Sequence, residues 1–413
     1  MQKSEDAAIL MQQNFNDIKL LFSENLSLDD LKNIHPDEAF SDEAVAFLNA
    51  LSVNLMHNPE IRRYPEVATF AFFCRKANIS ALKKEYAANN CIRLGRGIVF
   101  HIAPSNVPVN FAYSLVAGIL SGNTNLVRVP SKEFPQVEMI CQAIKQTALQ
   151  MENSSFANKI YLLRYDRQSE ATAIFSSVCD VRIIWGGDDT IADIRKSSIP
   201  ARSYDVTFAD RYSFCVINAD AYITEQQPDK VAMDFYNDTY LFDQNACTSP
   251  HLVIWTGLFQ NISDAKKIFW NSLQKALLQK QYYTPEVVVV NKLNELYLQA
   301  VEHHIHKEPA VDNRLWRVEW DSLPANMDTY RCAGGYFVEY TAQSLDEIEP
   351  IVNRKYQTMA YYGFDRAFLE QFIASKKLNG IDRVVPIGKT SEFNLTWDGY
   401  NLIDSLTRKC KIL

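Results

Sequence analysis

Over the first eighty positions apolar residues recur every three or four: Ile9, Leu10, Phe15, Ile18 and Leu21, then Ala44, Phe47, Leu48 and Leu51. Such spacing puts one apolar stripe on a helix face, so the front of the chain is expected to be helical, with breaks at Ser27-Leu28-Asp29-Asp30 and Pro59. Beyond residue 90 the pattern changes. Short apolar runs at 98–100, 125–129, 159–163 and 181–185 alternate with amphipathic stretches at 111–120, 135–150, 168–178 and 190–196. This order predicts βαβ units and a parallel sheet. A further run at 212–218 is expected to close that sheet. A second α/β pattern follows the helical stretch 229–241, with strands at 252–255, 286–290 and 335–340 and helices at 264–278 and 367–377. The expected organisation is a helical section 1–90, a parallel-sheet domain 91–217, a second α/β domain 218–390 and a C-terminal segment 391–413 that returns to the core.

Composition works mainly by exclusion. With 413 residues, 47% hydrophobic and 22% charged, the chain can build two or three domains with large cores. A formal net charge of −7 and the lack of any Lys/Arg block argue against a nucleic-acid partner, whose phosphates call for a clustered basic surface. The longest apolar stretch, 111–120, is interrupted by Ser114 and Gly118. It falls well short of the roughly 20 residues a bilayer crossing takes, so no membrane span is expected. Glu5 and Asp6 precede the first apolar run and no small-residue cleavage pattern follows, which points to a cytoplasmic protein. The eight cysteines (74, 91, 141, 179, 215, 247, 332 and 410) show neither CxxC pairs nor zinc spacing and are expected as free thiols. No metal is expected at His303, His304 and His306, because no acid or cysteine completes a ligand set.

Two segments carry candidate chemistry. Cys247 stands in Phe242-Asp243-Gln244-Asn245-Ala246-Cys247-Thr248-Ser249-Pro250-His251, directly before an apolar strand. The polar loop His101-Ile102-Ala103-Pro104-Ser105-Asn106-Val107-Pro108-Val109-Asn110 lies between an apolar strand and an apolar helix. Together they read as a nucleophile and its oxyanion donor. The plainer alternatives are a buried structural cysteine and a turn asparagine before Pro108.

These two segments, with Ser121-Gly122-Asn123-Thr124-Asn125-Leu126-Val127-Arg128-Val129-Pro130-Ser131, Gln357-Thr358-Met359-Ala360-Tyr361-Tyr362-Gly363-Phe364, Gly380-Ile381-Asp382-Arg383-Val384-Val385-Pro386-Ile387-Gly388 and Trp397-Asp398-Gly399-Tyr400, appear in an order that resembles the aldehyde dehydrogenase superfamily. Within it, the chain is most similar to the acyl-CoA reductases typified by the fatty-acid reductase of bacterial luminescence. The resemblance runs from about Arg93 to the C-terminus. It implies an aldehyde-dehydrogenase-like α/β fold, in which 91–217 binds a dinucleotide and 218–390 carries the nucleophile. It also implies that Cys247 accepts an acyl group, a task suited to a thiol because one thioester exchanges for another at little cost. Asn106 matches the family's side-chain oxyanion donor, paired with the backbone N–H of Cys247. Such donors are worth roughly 3 to 4 kcal/mol each in barrier height. His251 is the nearest titratable candidate for a proton donor, or else a structural histidine at a strand start.

No GxGxxG fingerprint is present, but dehydrogenases of this superfamily bind their dinucleotide without it. Gly186, Gly187 and Asp188 end a strand and open a helix, where backbone N–H groups can meet a pyrophosphate; an ordinary Asp-capped helix start is the alternative. Arg128 matches the basic residue that holds the adenosine ribose, with Ser105, Ser131 and Lys132 as further cofactor contacts; a solvated basic strand end is the alternative. Neither Ser131 nor Lys132 carries the acid that would repel a 2′-phosphate, which favours NADPH over NADH. Glu133 is adjacent. The water-activating Glu of hydrolytic relatives has no counterpart in Phe208-Ala209-Asp210-Arg211-Tyr212-Ser213, although Asp210 is close by. The resemblance therefore implies NADPH-dependent reduction of an acyl thioester to an aldehyde. The donor would be an acyl-CoA, an acyl-carrier protein or an acyl-synthetase protein, and the enzyme a homo-oligomer. The alternative is an acyltransferase or thioesterase that uses the same cysteine without hydride.

Overall fold

In the computed structural model, residues 17–22, 26–86, 91–104, 107–151 and 155–412 are described. The chain forms two compact units, Met1–Ala209 with Tyr400–Leu413, and Asp210–Gly399.

The first unit is built on six strands: β1 (Lys19–Phe22), β3 (Ile98–Ile102), β4 (Thr124–Arg128), β5 (Ile160–Arg164), β6 (Val181–Trp185) and β7 (Tyr204–Phe208). Between β1 and β3 lies β2 (Ile92–Gly95), which pairs antiparallel with Thr407–Cys410. The sheet order is β1-β5-β4-β3-β6-β7, parallel throughout except for β1. β3, β5 and β6 are buried at all five positions, as a parallel sheet covered on both faces requires. From β3 the chain builds first towards β4 and β5 and then, on the other side, towards β6 and β7. The crevice at the carboxyl ends of β3 and β6 is thus a topological switch point, where open α/β sheets bind ligands.

The front of this unit is largely helical, as its periodicity predicts. Helix Asp42–His57 starts where the Ser41 hydroxyl accepts from the Ala44 amide, and it buries Ala44, Phe47, Leu48, Leu51 and Leu55 along one stripe. The exception is 19–22, which pairs with the edge of β5. Four residues cannot declare a period of their own, and strand pairing decides their conformation. Ile9, Leu10 and Phe15 lie outside the described residues.

Gly122 adopts φ +77°, and its carbonyl accepts from the Asp37 amide. A Cβ at this position would stand 2.3 Å from the Asp37 carbonyl oxygen. Gly122→Ala combines left-handed strain with a backbone clash and is expected to cost about 2–4 kcal/mol. Urea denaturation checks this, and an unchanged midpoint would mean that the Asp37 turn gives way freely.

The second unit carries β8 (Tyr212–Asn218), β9 (Pro250–Thr256), β10 (Ile305–Lys307), β11 (Trp316–Trp320), β12 (Tyr336–Thr341), β13 (Tyr356–Tyr362) and β14 (Arg383–Pro386), in the order β10-β11-β12-β9-β8-β13-β14. All pairs are parallel apart from β10 with β11. Alternation sends Phe214, Val216, Leu252 and Ile254 into one core and Cys215, Ile217, Val253 and Trp255 into the other.

Two expectations about elements need correction. Strand 212–218 does not close the first sheet; it sits between β9 and β13 in the second, so the chain changes units at Ala209–Asp210, before this strand. Residues 286–290 are not a strand but the start of helix Glu286–Glu302. The run of four valines has strand character, but Pro285 precedes the helix and Val289 and Leu296, seven apart, rest on the core. That helix ends before the histidines: His303 follows it as the C-cap and His306 lies in β10. Among the described residues no group of three His, Cys, Asp or Glu could hold a metal ion, and no helix is long and apolar enough to cross a membrane.

Candidate active site

The cysteine loop begins with strained backbone. Helix Pro228–Thr239 runs into a single 3-10 turn, Tyr240–Phe242, after which Asp243 (φ +50°) and Gln244 (φ +62°) both adopt left-handed conformations. Non-glycine residues hold such angles only where their surroundings over-determine them. Here the Gln244 side chain does so. It is 1% exposed; its Nε2 donates to the carbonyls of Pro250 (2.9 Å) and Tyr336 (3.0 Å), and its Oε1 accepts from the amides of Gly335 (2.9 Å) and Tyr336 (3.2 Å). The Gly334 amide donates to the Asp243 carbonyl, and the Tyr282 hydroxyl donates to the Asp243 carboxylate. The turn 246–249 closes through the Ser249 amide and the Ala246 carbonyl.

Cys247 is thereby fixed at the amino-terminal edge of the second sheet. The Ser213 hydroxyl, on the first turn of pleat in β8, donates to the Cys247 carbonyl (2.7 Å) and accepts from the Thr358 amide of β13 (3.2 Å). Next along β13, the Gln357 Nε2 donates to the Cys247 sulfur (3.5 Å) and also to the Asp398 carboxylate. Arg211 bonds Asp382 and lies 3.9 Å from Asp398. Cys74, Cys141, Cys179 and Cys215 are buried, whereas the Cys247 residue is exposed.

Although solvent reaches Cys247, the protein packed around it still desolvates the thiol, and this pushes its pKa up to about 11, with the Asp398 charge adding to the rise. The Gln357 hydrogen bond and Arg211 pull the other way. At neutral pH such a thiol is ionised in only about one molecule in ten thousand, so the resting nucleophile is held protonated.

The two titratable candidates from the sequence, His251 and Asp210, are engaged elsewhere. His251 is 8% exposed, shares a 3.2 Å hydrogen bond between its Nδ1 and the Cys332 carbonyl, and stacks on Tyr212. Burial pushes its pKa down to about 4, so the ring is neutral at physiological pH. Asp210 forms an ion pair with Arg331, whose guanidinium also donates to the Arg211 carbonyl (2.9 Å).

The candidate cofactor residues lie in the first unit. Ser105 and Asn106 fall outside the described residues. Arg128, the last residue of β4, donates to the Tyr165 carbonyl (3.3 Å) and stacks over the Tyr165 ring. Ser131 and Lys132 are exposed just beyond β4, with the Lys132 ammonium over Phe134. Glu133 points its carboxylate towards Arg164, 3.7 Å away. Gly186 follows β6 and bonds the Phe208 carbonyl, and Gly187 caps helix Asp188–Arg195 without a side-chain cap. A Cβ at Gly187 would meet nothing within 4 Å, so the approach to this helix start is open, although Asp188 and Asp189 in its first turn bring negative charge. Arg128 and Gly186–Gly187 therefore stand at the carboxyl ends of β4 and β6, the two strands that flank β3, beside the switch point.

Gln357, Asp398, Ser213 and Gln244 had no assigned role from the sequence. The available signal was polarity in apolar surroundings: Gln357 and Thr358 stand in a strand otherwise rich in apolar side chains, and both are fully buried.

Comparison with known proteins bears on both units. The long-chain acyl-protein thioester reductase of Vibrio harveyi is 23% identical over 304 residues, covering 72% of this chain and 60% of that protein. The enzyme of the same name from Aliivibrio fischeri is 22% identical over 308 residues, covering 73% of this chain and 60% of that protein. The matched region thus spans about three fifths of these relatives. Among solved structures, aldehyde dehydrogenase 21 from Physcomitrella patens superposes with a TM-score of 0.63 at 12% identity, covering 89% of this chain and 85% of that one. An indole-3-acetaldehyde dehydrogenase gives 0.65 at 11%, covering 93% and 85%. At these identities the likeness establishes the fold, which is that of the aldehyde dehydrogenases. The family model described as Acyl-CoA reductase (LuxC) matches residues 73–409, through β2, the first large sheet apart from β1, the second sheet and the cysteine loop, and the chain therefore belongs to the acyl-CoA reductase (LuxC) family.

Proposed function

We propose that the protein reduces an acyl thioester to an aldehyde, with Cys247 as the acyl acceptor and NADPH as the hydride source. The observation that carries this reading is an accessible thiol pinned at a strand start while Asp210, the acid nearest the place of the missing water-activating Glu, is held by Arg331. With Asp210 engaged in that ion pair, water is a poorer competitor for an acyl-enzyme, which favours reduction over hydrolysis.

In this scheme the Cys247 sulfur attacks the carbonyl carbon of the donor thioester. The Cys247 amide would donate to the tetrahedral oxyanion, and the family motif gives Asn106 the part of a second donor. Collapse expels the donor thiol, which takes up a proton, and leaves the acyl group on sulfur. NADPH, when bound, would supply the hydride that takes the acyl group to the aldehyde level, and release of the aldehyde would return the Cys247 thiol. Throughout, Ser213 holds the cysteine backbone and Gln357 keeps an N–H on the sulfur.

Support for the dinucleotide comes from the open Gly187 helix start and from Arg128 at the carboxyl end of β4. NADPH is favoured because Ser131 and Lys132 carry no negative charge and Glu133 is turned to Arg164. The names of the relatives point to a long-chain acyl group carried on a protein as the donor. The test is a panel of acyl thioesters of increasing chain length, on CoA and on acyl-carrier protein. NADPH oxidation is followed and the product identified by mass. The expected result is one aldehyde per NADPH consumed and at least a tenfold lower kcat/KM with NADH, about 1.4 kcal/mol in discrimination. Acyl-enzyme formed without nucleotide binding would instead select an acyltransferase.

A further inference from the structure

We propose that Asp398 is a positioning residue for the nucleophile: by binding Gln357 it decides which end of that amide faces the Cys247 sulfur. This rests on Cys247 being the acyl acceptor, but its geometry stands by itself. Gln357 is fully buried, and its Nε2 carries two hydrogens with two partners, the Asp398 carboxylate and the Cys247 sulfur at 3.5 Å. Its Oε1 accepts from the Thr358 hydroxyl at 3.4 Å. Rotating the amide by half a turn would set Oε1 against the carboxylate and, once the thiol ionises, against the thiolate as well, acceptor–acceptor contacts in a buried place. The carboxylate therefore selects the orientation in which the sulfur receives a donor, and a donor favours thiolate.

The turn that presents Asp398 is built for this. Asp398 has φ +48° and Gly399 φ +74°, a left-handed pair that brings a carboxylate only 8% exposed onto β13. Charged groups surround it from several elements: Arg211 ahead of β8, Asp382 and Arg383 at β14, with Asp238 from helix Pro228–Thr239 and Glu392 reaching Arg383. Asp398 thus acts on the sulfur in two opposite ways. Its charge opposes a thiolate, and its hold on Gln357 supports one.

Opposite signs make the proposal testable without turnover. The rate of Cys247 alkylation by iodoacetamide, followed by intact mass against pH, reports the thiol pKa. In the Gln357→Leu background only the charge of Asp398 remains, so Asp398→Asn is expected to lower the thiol pKa. In the presence of Gln357 the same substitution also frees the amide to turn, and its shift is expected to be less downward by about one unit, a tenfold difference in thiolate fraction. Shifts equal in the two backgrounds would overturn the proposal, because Asp398 would then act as a charge alone. Asp398→Glu keeps a carboxylate and is expected to retain the wild-type profile; a Glu variant displaced as far as Asn would also overturn it. If no acyl thioester were reduced, the proposed function would fail while the alkylation profiles still decided the role of Asp398.

Discussion

Cys247→Ala is expected to reduce thioester-dependent NADPH oxidation by at least about a thousandfold while lowering the melting temperature by only about a few degrees. Loss of a covalent nucleophile costs several orders of magnitude, because whatever catalysis remains must come from binding and the oxyanion donors alone. The cost to stability is limited to the packing of the sulfur and the Gln357 N–H it accepts, because Gln244, Ser213 and Ser249 hold the loop backbone. The measurement pairs initial rates with thermal denaturation and with intact mass after incubation with donor and no nucleotide. Wild type should gain one acyl group and the variant none. Undiminished turnover in the variant would remove Cys247 from the reaction and with it the acyl-enzyme route. Cys247→Ser, whose hydroxyl is far less acidic than a thiol, is expected to be nearly as inactive.

Much of the first unit was legible because its signals are local. Buried parallel strands read as continuous apolar runs, and β3, β4, β5 and β6 fall within a residue or two of the expected segments. What was not legible depends on partners far away in sequence. The residues of β1 are strand because β5 offers an edge, and β8 belongs to the second sheet because β9 and β13 flank it. The valines at 287–290 carry the propensity of a strand and the capping context of a helix, and packing of Val289 and Leu296 decides between them. The candidate site divides the same way. Cys247 was found from its own segment. Its partner Gln357 lies 110 residues away and Asp398 another 41, and only the register of β8 and β13 brings them together. The high pKa of the thiol could not be foreseen either, since it arises from burial and from a carboxylate contributed by a distant turn.

Gln244→Leu is expected to destabilise the second unit by about 3–5 kcal/mol, the largest stability effect anticipated at a single site here. The side chain satisfies four buried backbone groups, the amides of Gly335 and Tyr336 and the carbonyls of Pro250 and Tyr336. A leucine fills similar volume but leaves all four without their partner, at roughly 1–3 kcal/mol for each group that water cannot reach; relaxation of the loop keeps the total below the sum. The left-handed backbone at Gln244 loses its restraint at the same time. Comparison with Gln244→Gly separates the two effects, because glycine removes the strain at φ +62° as well as the hydrogen bonds, and it should be the less destabilised variant if strain matters. Denaturant midpoints followed by tryptophan fluorescence are a suitable measure, since Trp316 and Trp320 lie in the core beside β12. Iodoacetamide alkylation of Cys247 in the folded variant should also lose its single-pKa form as the loop samples several positions. A Gln244→Leu chain with the wild-type midpoint would mean that the pairs from Gly334 to Asp243 and from Ser213 to Cys247 hold the nucleophile by themselves, and that the buried amide is replaceable.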